Sequence, residues 1–275
     1  MADSKLQLPR CDHNTLLETE VHLYINDDVL AEYSKEFVQA KINSWTAFAN
    51  TTLKNSCIPI SRKVTHVEYV PTIDSSWFKD IDVSERFLKL SLERDFPEHN
   101  NDGVPIFKGI VFTNFNDSFQ SSNCGYASGS SLFFNIALNC PDDVMEHEIG
   151  HLSGASHDIK TLKEQMVNFD INEYLISSYP KSEKFAFGAV CSGRGTIMSY
   201  ERDIIPVYSN PDTTFNGEMC GSDDLKNNAK VLREFAKKYL HKSLSIKFEV
   251  RHLLQMRMNI LRWCPIPKSF AWARI

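Results

Sequence analysis

Five residues in one short stretch carry the most chemistry in this sequence: His147, Glu148, His151, Gly154 and His157, spaced as H-E-x-x-H-x-x-G-x-x-H. Residues four apart on a helix lie about one turn apart on one face, so His147 and His151 can present two imidazoles to one metal ion. Gly154 stands where a residue free to take positive φ can end the helix and turn the chain back, and His157 follows three residues later. Three neutral imidazoles leave a tetrahedral zinc ion one open position for water, as hydrolytic sites require. Glu148 adjoins these ligands without competing for their place, and a carboxylate there can take a proton from water and return it to a leaving group. The full spacing is on the order of a thousandfold rarer by chance than H-E-x-x-H alone.

The rest of the chain bounds what can surround such a site. Its 275 residues carry 30 Lys plus Arg against 35 Asp plus Glu, a net charge of −5, which argues against binding nucleic acid through phosphate neutralisation. Hydrophobic residues at 42% and charged residues at 24% suit a globular chain with a buried core. No stretch reaches the roughly 18 apolar residues of a membrane span. The opening MADSKLQLPR lacks the charged-then-apolar pattern of a signal peptide. None of the seven cysteines forms a C-x-x-C pair, which favours scattered disulfides and an oxidising compartment, with at least one thiol left over. Sequons at Asn50 and Asn116 are compatible with secretion.

Alternating β-branched and aromatic residues predict strands at 20–25 and 60–70, and buried strands at 106–113 and 131–138. Apolar positions at helical spacing predict helices over 29–53 and 83–94. A further helix should start near Pro141, Asp142 and Asp143 and stop at Gly154. Residues 180–222, rich in Pro, Gly, Ser and Asn, read as irregular, and Ser222 or Asp223 should begin a helix running to about Leu240. Strand–helix–strand–helix–strand implies an α/β sheet with right-handed crossovers. From Arg251 onward the chain carries five Lys or Arg and no acid, and reads as an extension.

With its long motif, and with Thr196-Ile197-Met198-Ser199-Tyr200 downstream of it, the sequence resembles the metzincin zinc peptidases, within them the reprolysin-like (adamalysin-like) group. The resemblance covers most of residues 20–240, including YSNPDTTFNGEMCGSDDLKNNAKVL as the closing segment and final helix. It implies an α/β (α+β) catalytic domain over 20–245, with a twisted mixed sheet and helices in an upper subdomain and an irregular lower subdomain ending in a helix. Residues 1–19 would then be an N-terminal extension and 246–275 a C-terminal basic tail. It implies a zinc-dependent endopeptidase acting on polypeptide through a zinc-bound water, with one catalytic Zn2+ on His147, His151 and His157, Glu148 as general base, and Met198 in a turn beneath the histidines. The same resemblance implies a secreted monomer. Calcium is not expected, since no acidic loop with suitable ligand spacing is visible.

Tyr200 corresponds to a tyrosine that, in the astacin and serralysin branches, can ligate zinc and stabilise the oxyanion; packing under the site is the other reading of the same residue. Asp158 corresponds to an acid that supports local structure and is not counted as a ligand. Residues 131–138 would be the edge strand that pairs with substrate, and 201–211 would wall the pocket for the side chain after the scissile bond. Cys11, in LPRCD, has two readings: a thiolate latency switch on zinc, or a disulfide, with Cys57 as a candidate partner. Proximity in sequence within the resembling region favours Cys124–Cys140 and Cys191–Cys220. A catalytically silent binding or adhesion module, and a zinc hydrolase of a non-peptide amide, are the competing functions.

Overall fold

The computed structural model describes residues 5–13, 15–113, 124–129, 131–177 and 182–263, with backbone alone at 244 and 247–263. Asn116 and Cys264 lie outside these residues, as do the side chains of the basic residues from Arg251 on. In chain order the structure runs β1 (Leu6–Gln7), β2 (Leu17–Asn26), α1 (Val29–Glu32), α2 (Lys35–Asn55), β3 (Ile60–Val70), α3 (Ile81–Ser91), β4 (Ile106–Phe112), β5 (Gly125–Ala127) and β6 (Phe133–Ala137). It continues through α4 (Val144–Leu152), α5 (Ile159–Gln165), α6 (Ile171–Ser177), the short strands β7 (Val190–Cys191), β8 (Arg194–Gly195), β9 (Thr214–Phe215) and β10 (Glu218–Met219), and α7 (Asn228–Trp263).

A five-stranded sheet of order β3-β2-β4-β6-β5 forms the centre, with all neighbours parallel except β5, which runs antiparallel to β6. Every residue of β4 and β6 is buried, as largely apolar strands with both faces covered should be, and Lys108 and Asn135 are buried with the rest. The architecture is therefore mixed α+β, with the parallel part built as the strand and helix order predicts. One expectation needs correction: the strand over 131–138 is not an edge. β6 lies between β4 and β5, so the edge belongs to three residues hidden in a Ser- and Gly-rich stretch.

The long helix expected over 29–53 is broken at Tyr33–Ser34. Tyr33 is extended, and Ser34 starts α2 afresh by accepting a hydrogen bond from Phe37 N at 3.3 Å. Val38, Ile42, Trp45 and Ala49 of α2 then pack in the main core with Leu23, Ile25, Val111 and Met145. A second core joins the end of α2 to the start of α7, where Leu53, Ile58, Ile197, Met198, Tyr208, Ala229 and Leu232 meet. The helix expected to end near Leu240 continues to Trp263, across the 245/246 boundary.

Disulfides join Cys11–Cys57, Cys124–Cys140 and Cys191–Cys220, so the sulfur of Cys11 is bonded and is not free to ligate a metal. Near the N-terminus, β9 pairs with β1 as well as with β10, tying Leu6 and Gln7 to the segment that carries β9. Asn50, in the first sequon, clasps the edge strand: its amide donates to Arg62 O at 3.0 Å and accepts from Arg62 N at 2.8 Å. Among the described residues no helix is long and apolar enough to cross a membrane.

Candidate metal centre

The three motif histidines meet at one point. His147 and His151 come from α4, Ser153 ends that helix, and Gly154 takes φ +98° as the turn requires, which swings His157 back over the helix end. The Nε2 atom of His157 lies 3.1 Å from that of His147 and 2.9 Å from that of His151. Each ring is oriented through its other nitrogen: His147 Nδ1 contacts Ile197 O at 2.7 Å, His151 Nδ1 contacts Ala155 O at 3.0 Å, and His157 Nδ1 contacts Gln165 Oε1 at 3.2 Å. A carbonyl oxygen only accepts, so each Nδ1 carries the proton and each Nε2 offers a lone pair.

Three lone pairs aimed at one point repel unless a cation sits among them. Tetrahedral zinc with Zn–N near 2.0–2.1 Å sets its nitrogens about 3.3 Å apart, within a few tenths of an ångström of this spacing. The cluster could therefore hold a metal ion. Burial, then the neighbouring His147 ring, pushes the His151 imidazole down to about 3. Burial also lowers His147, and burial with the other two rings lowers His157. All three rings are thus held neutral, the form that binds metal.

Glu148 lies beside them, 4% exposed, with its pKa pushed up to about 8 by burial. A Cβ on Gly125 would stand 2.6 Å from Glu148 Oε1, so the backbone of β5 rests against this carboxylate. Two cavities flank the cluster, of about 300 Å³ and about 610 Å³, and Gly125, Glu148 and Tyr200 line both. The larger is walled by Ser199–Ile204 with Phe48 and Pro141–Val144. Of the expected wall at 201–211, only 201–204 face it; Ile205, Val207 and Tyr208 are buried in the core.

Met198 is fully buried, and beneath the helix its Sδ would stand 2.8 Å from a Cβ at Gly150, the residue directly before His151. Asp158 caps α5, accepting from Lys160 N at 2.9 Å and Thr161 N at 3.1 Å, and it is not part of the histidine cluster. Tyr200 is 38% exposed, with its ring 4.6 Å from that of His157. Burial first, then Glu148, raises its hydroxyl well above the ordinary phenol range. Among the other histidines, His22 and His66 lie ring to ring at 5.3 Å beside Glu20 and Glu68, well apart from this site.

Sequence reasoning missed two contributors. Gln165 reaches His157 from the end of α5, a helix with no strong local signal. Glu146, immediately before His147, is fully buried and accepts from Arg62 Nε at 2.9 Å and from the Tyr208 hydroxyl at 2.7 Å. An acid at a helix position with no apolar neighbour pattern to mark it as inward is the only signal, and its partners are remote in the chain.

No family model and no curated protein matches this sequence. Among solved structures, a chain of a chaperone–substrate complex is 16% identical over 83% of this chain and 36% of its own length, with a TM-score of 0.53. That likeness shows a shared fold and nothing more, and this chain spans about a third of that one. Metalloproteinase-II from Bacteroides fragilis is 14% identical over 55% of this chain and 46% of its own, with a TM-score of 0.36. A zinc-dependent peptidase from Methanocorpusculum labreanum (strain Z) is 14% identical over 50% and 83%, with a TM-score of 0.29. Likenesses as slight as these last two carry no weight on fold or activity. Fold and site together define a mixed α+β protein with a three-histidine cluster beside a buried glutamate.

Proposed function

We propose that the chain is a zinc-dependent endopeptidase in which His147, His151 and His157 hold one zinc ion and Glu148 is the general base. The observation that carries this reading is the convergence of three lone-pair-bearing Nε2 atoms beside a buried carboxylate, in a cleft with a cavity on either side. When bound, zinc supplies Lewis acidity toward a carbonyl oxygen and toward water. Glu148 takes a proton from water in the cleft and delivers it to the leaving amine, and its burial helps it keep that proton between the two events. Tyr200, at the rim between the cavities, is placed to donate a hydrogen bond to the oxygen that gains charge. An extended substrate adds to the edge strand β5, whose backbone rests on Glu148, and the larger cavity receives the side chain after the scissile bond.

This reading extends to the reprolysin-like metzincins, on the strength of the long motif and of Met198 buried beneath the histidines. It takes residues 20–245 as the catalytic domain, 1–19 as an extension strapped to it and 246–275 as a tail. Three disulfides support a secreted protein, which we read as a monomer.

The test is cleavage of a mixed peptide library, read by mass spectrometry, with and without a zinc chelator. Internal cuts that vanish with chelator and return with zinc support the reading. Silence from protein shown to hold stoichiometric zinc overturns it in favour of a binding module, and turnover of small amides without polypeptide cleavage overturns it in favour of a non-peptide hydrolase.

A further inference from the structure

We propose that Tyr208 and Glu146 are positioning residues for the metal centre, forming a buried clamp that fixes His147 relative to the turn beneath it. The inference rests on the metal-site reading above and concerns groups that touch neither metal nor substrate.

The geometry is a closed ring. His147 Nδ1 donates to Ile197 O at 2.7 Å, and Ile197 N donates to Val207 O at 2.9 Å. Val207 is bonded to Tyr208, whose hydroxyl donates to Glu146 Oε1 at 2.7 Å, and Glu146 is bonded to His147. Three hydrogen bonds and the backbone between them thus connect the histidine to itself through the turn that carries Met198. Shifting α4 along the turn, or rotating it, must break at least one of the three.

Each end of the clamp is anchored independently of the metal. Arg62 on β3 grips Glu146 bidentately, Nε to Oε2 at 2.9 Å and Nη2 to Oε1 at 3.1 Å, with neither side chain exposed. Arg62 in turn donates to Thr19 Oγ1 on β2 at 3.0 Å and lies over the Phe107 ring at 5.1 Å. Tyr208 is held by its backbone N–H on Ser56 Oγ at 2.7 Å, at the end of α2. Glu146 Oε1 accepts from both Arg62 Nη2 and the Tyr208 hydroxyl, and among the described residues the only other acceptor near that hydroxyl is Glu146 O at 3.2 Å, so both of its hydrogen-bond acceptors belong to the residue bonded to His147.

A buried ion pair adds little net stability over apolar side chains of the same volume. A hydrogen-bonded ring of defined length beside a ligand adds something an apolar pair cannot, because outer partners of metal-ligating histidines set ring orientation and metal affinity.

The experiment loads Co2+ into the full chain and follows visible absorption and dissociation constant in wild type, Tyr208→Phe, Glu146→Gln and Val38→Ala. Tyr208→Phe deletes one hydroxyl; we expect it to raise the cobalt dissociation constant about tenfold and shift the visible bands. Val38→Ala, in the core of α2 away from the ring, should lower the melting temperature while keeping the wild-type spectrum and affinity. Glu146→Gln keeps side-chain shape but replaces one of the two oxygens that accept from Arg62 with an NH2 that cannot accept, so the bidentate anchor of the ring is lost; it is the second variant should Tyr208→Phe not fold. A wild-type spectrum and affinity in whichever of the two folds overturns the clamp. Wild type failing to bind cobalt overturns the metal reading itself, and the clamp with it.

Discussion

Gly150→Ala sets two opposed effects against each other, and the structure decides between them. Gly150 is interior to α4, where alanine is favoured over glycine by about 1 kcal/mol through propensity alone. The added methyl would stand 2.8 Å from Met198 Sδ and 2.9 Å from the Tyr208 hydroxyl, both in fully buried side chains. Relieving such an overlap in a packed core costs about 1–3 kcal/mol. Displacing the Tyr208 hydroxyl from the Glu146 carboxylate costs a further 1.5–3 kcal/mol or so for a hydrogen bond to a charged group. Taking the middle of each range, we expect a net loss of about 3 kcal/mol. In a chain of this size that lowers the melting temperature by about 6–12 °C. Denaturant unfolding of metal-free protein measures this without contribution from ligand binding. A variant more stable than wild type by about 1 kcal/mol would mean that propensity acts alone and that the methyl has room, which would refute the packing described beneath the histidines.

Three further outcomes follow from the same structure. Glu148→Ala should retain zinc and lose hydrolysis by about 10²–10⁴-fold, checked by metal content and peptide turnover on one sample; near wild-type turnover would sink Glu148 as the base. Lys108, buried over the Phe133 ring, has its amine pushed down to about 8 from 10.5 by desolvation, so stability should rise with pH between about 8 and 10.5, where the unfolded chain still holds the proton and the folded one does not. Lys108→Met should abolish that rise and, after discounting for solvent screening, stabilise the fold at pH 7 by about 1–2 kcal/mol in denaturant titrations; no gain at pH 7 would refute the desolvation reasoning. Asn50 should stay unglycosylated on secretion from a eukaryotic host, because both polar atoms of its amide are engaged with Arg62; a glycopeptide at Asn50 in mass spectrometry would contradict that clasp.

How much of this was legible depends on how local each signal is. The histidine cluster was readable because its three histidines lie within one helix turn and one glycine turn, so spacing alone nearly fixes geometry. β2, β3 and β4 announce themselves by their β-branched and aromatic patterning, and α4 by Pro141, Asp142 and Asp143 at its start and Gly154 at its stop. β5 does not: three residues, Gly125, Tyr126 and Ala127, have too little length for alternation, so the sequence could not show that β6 is covered and β5 is the edge. The Arg62–Glu146 pair spans 84 positions, and only the folded sheet brings β3 under α4. The break before α2 hinges on one capping serine within an otherwise continuous helical pattern. In α7 the apolar stripe that suggested an end near Leu240 runs on in sequence without a stop signal, and the backbone follows it.

The bond between Cys124 and Cys140 acquires a meaning from its neighbours. Cys124 directly precedes the strand whose first residue rests on Glu148, and Cys140 directly precedes the entry to the helix that carries Glu148. The rail on which a polypeptide would lie and the base that would act on it are thus riveted together, and the gauge between them is covalent. Hydrogen bonds from β6 alone would let a three-residue strand breathe away from the cleft. A thiol-rich environment would cut this rivet while leaving three imidazoles in place, so the capacity to hold a metal and the proposed hold on an extended chain would separate under reduction.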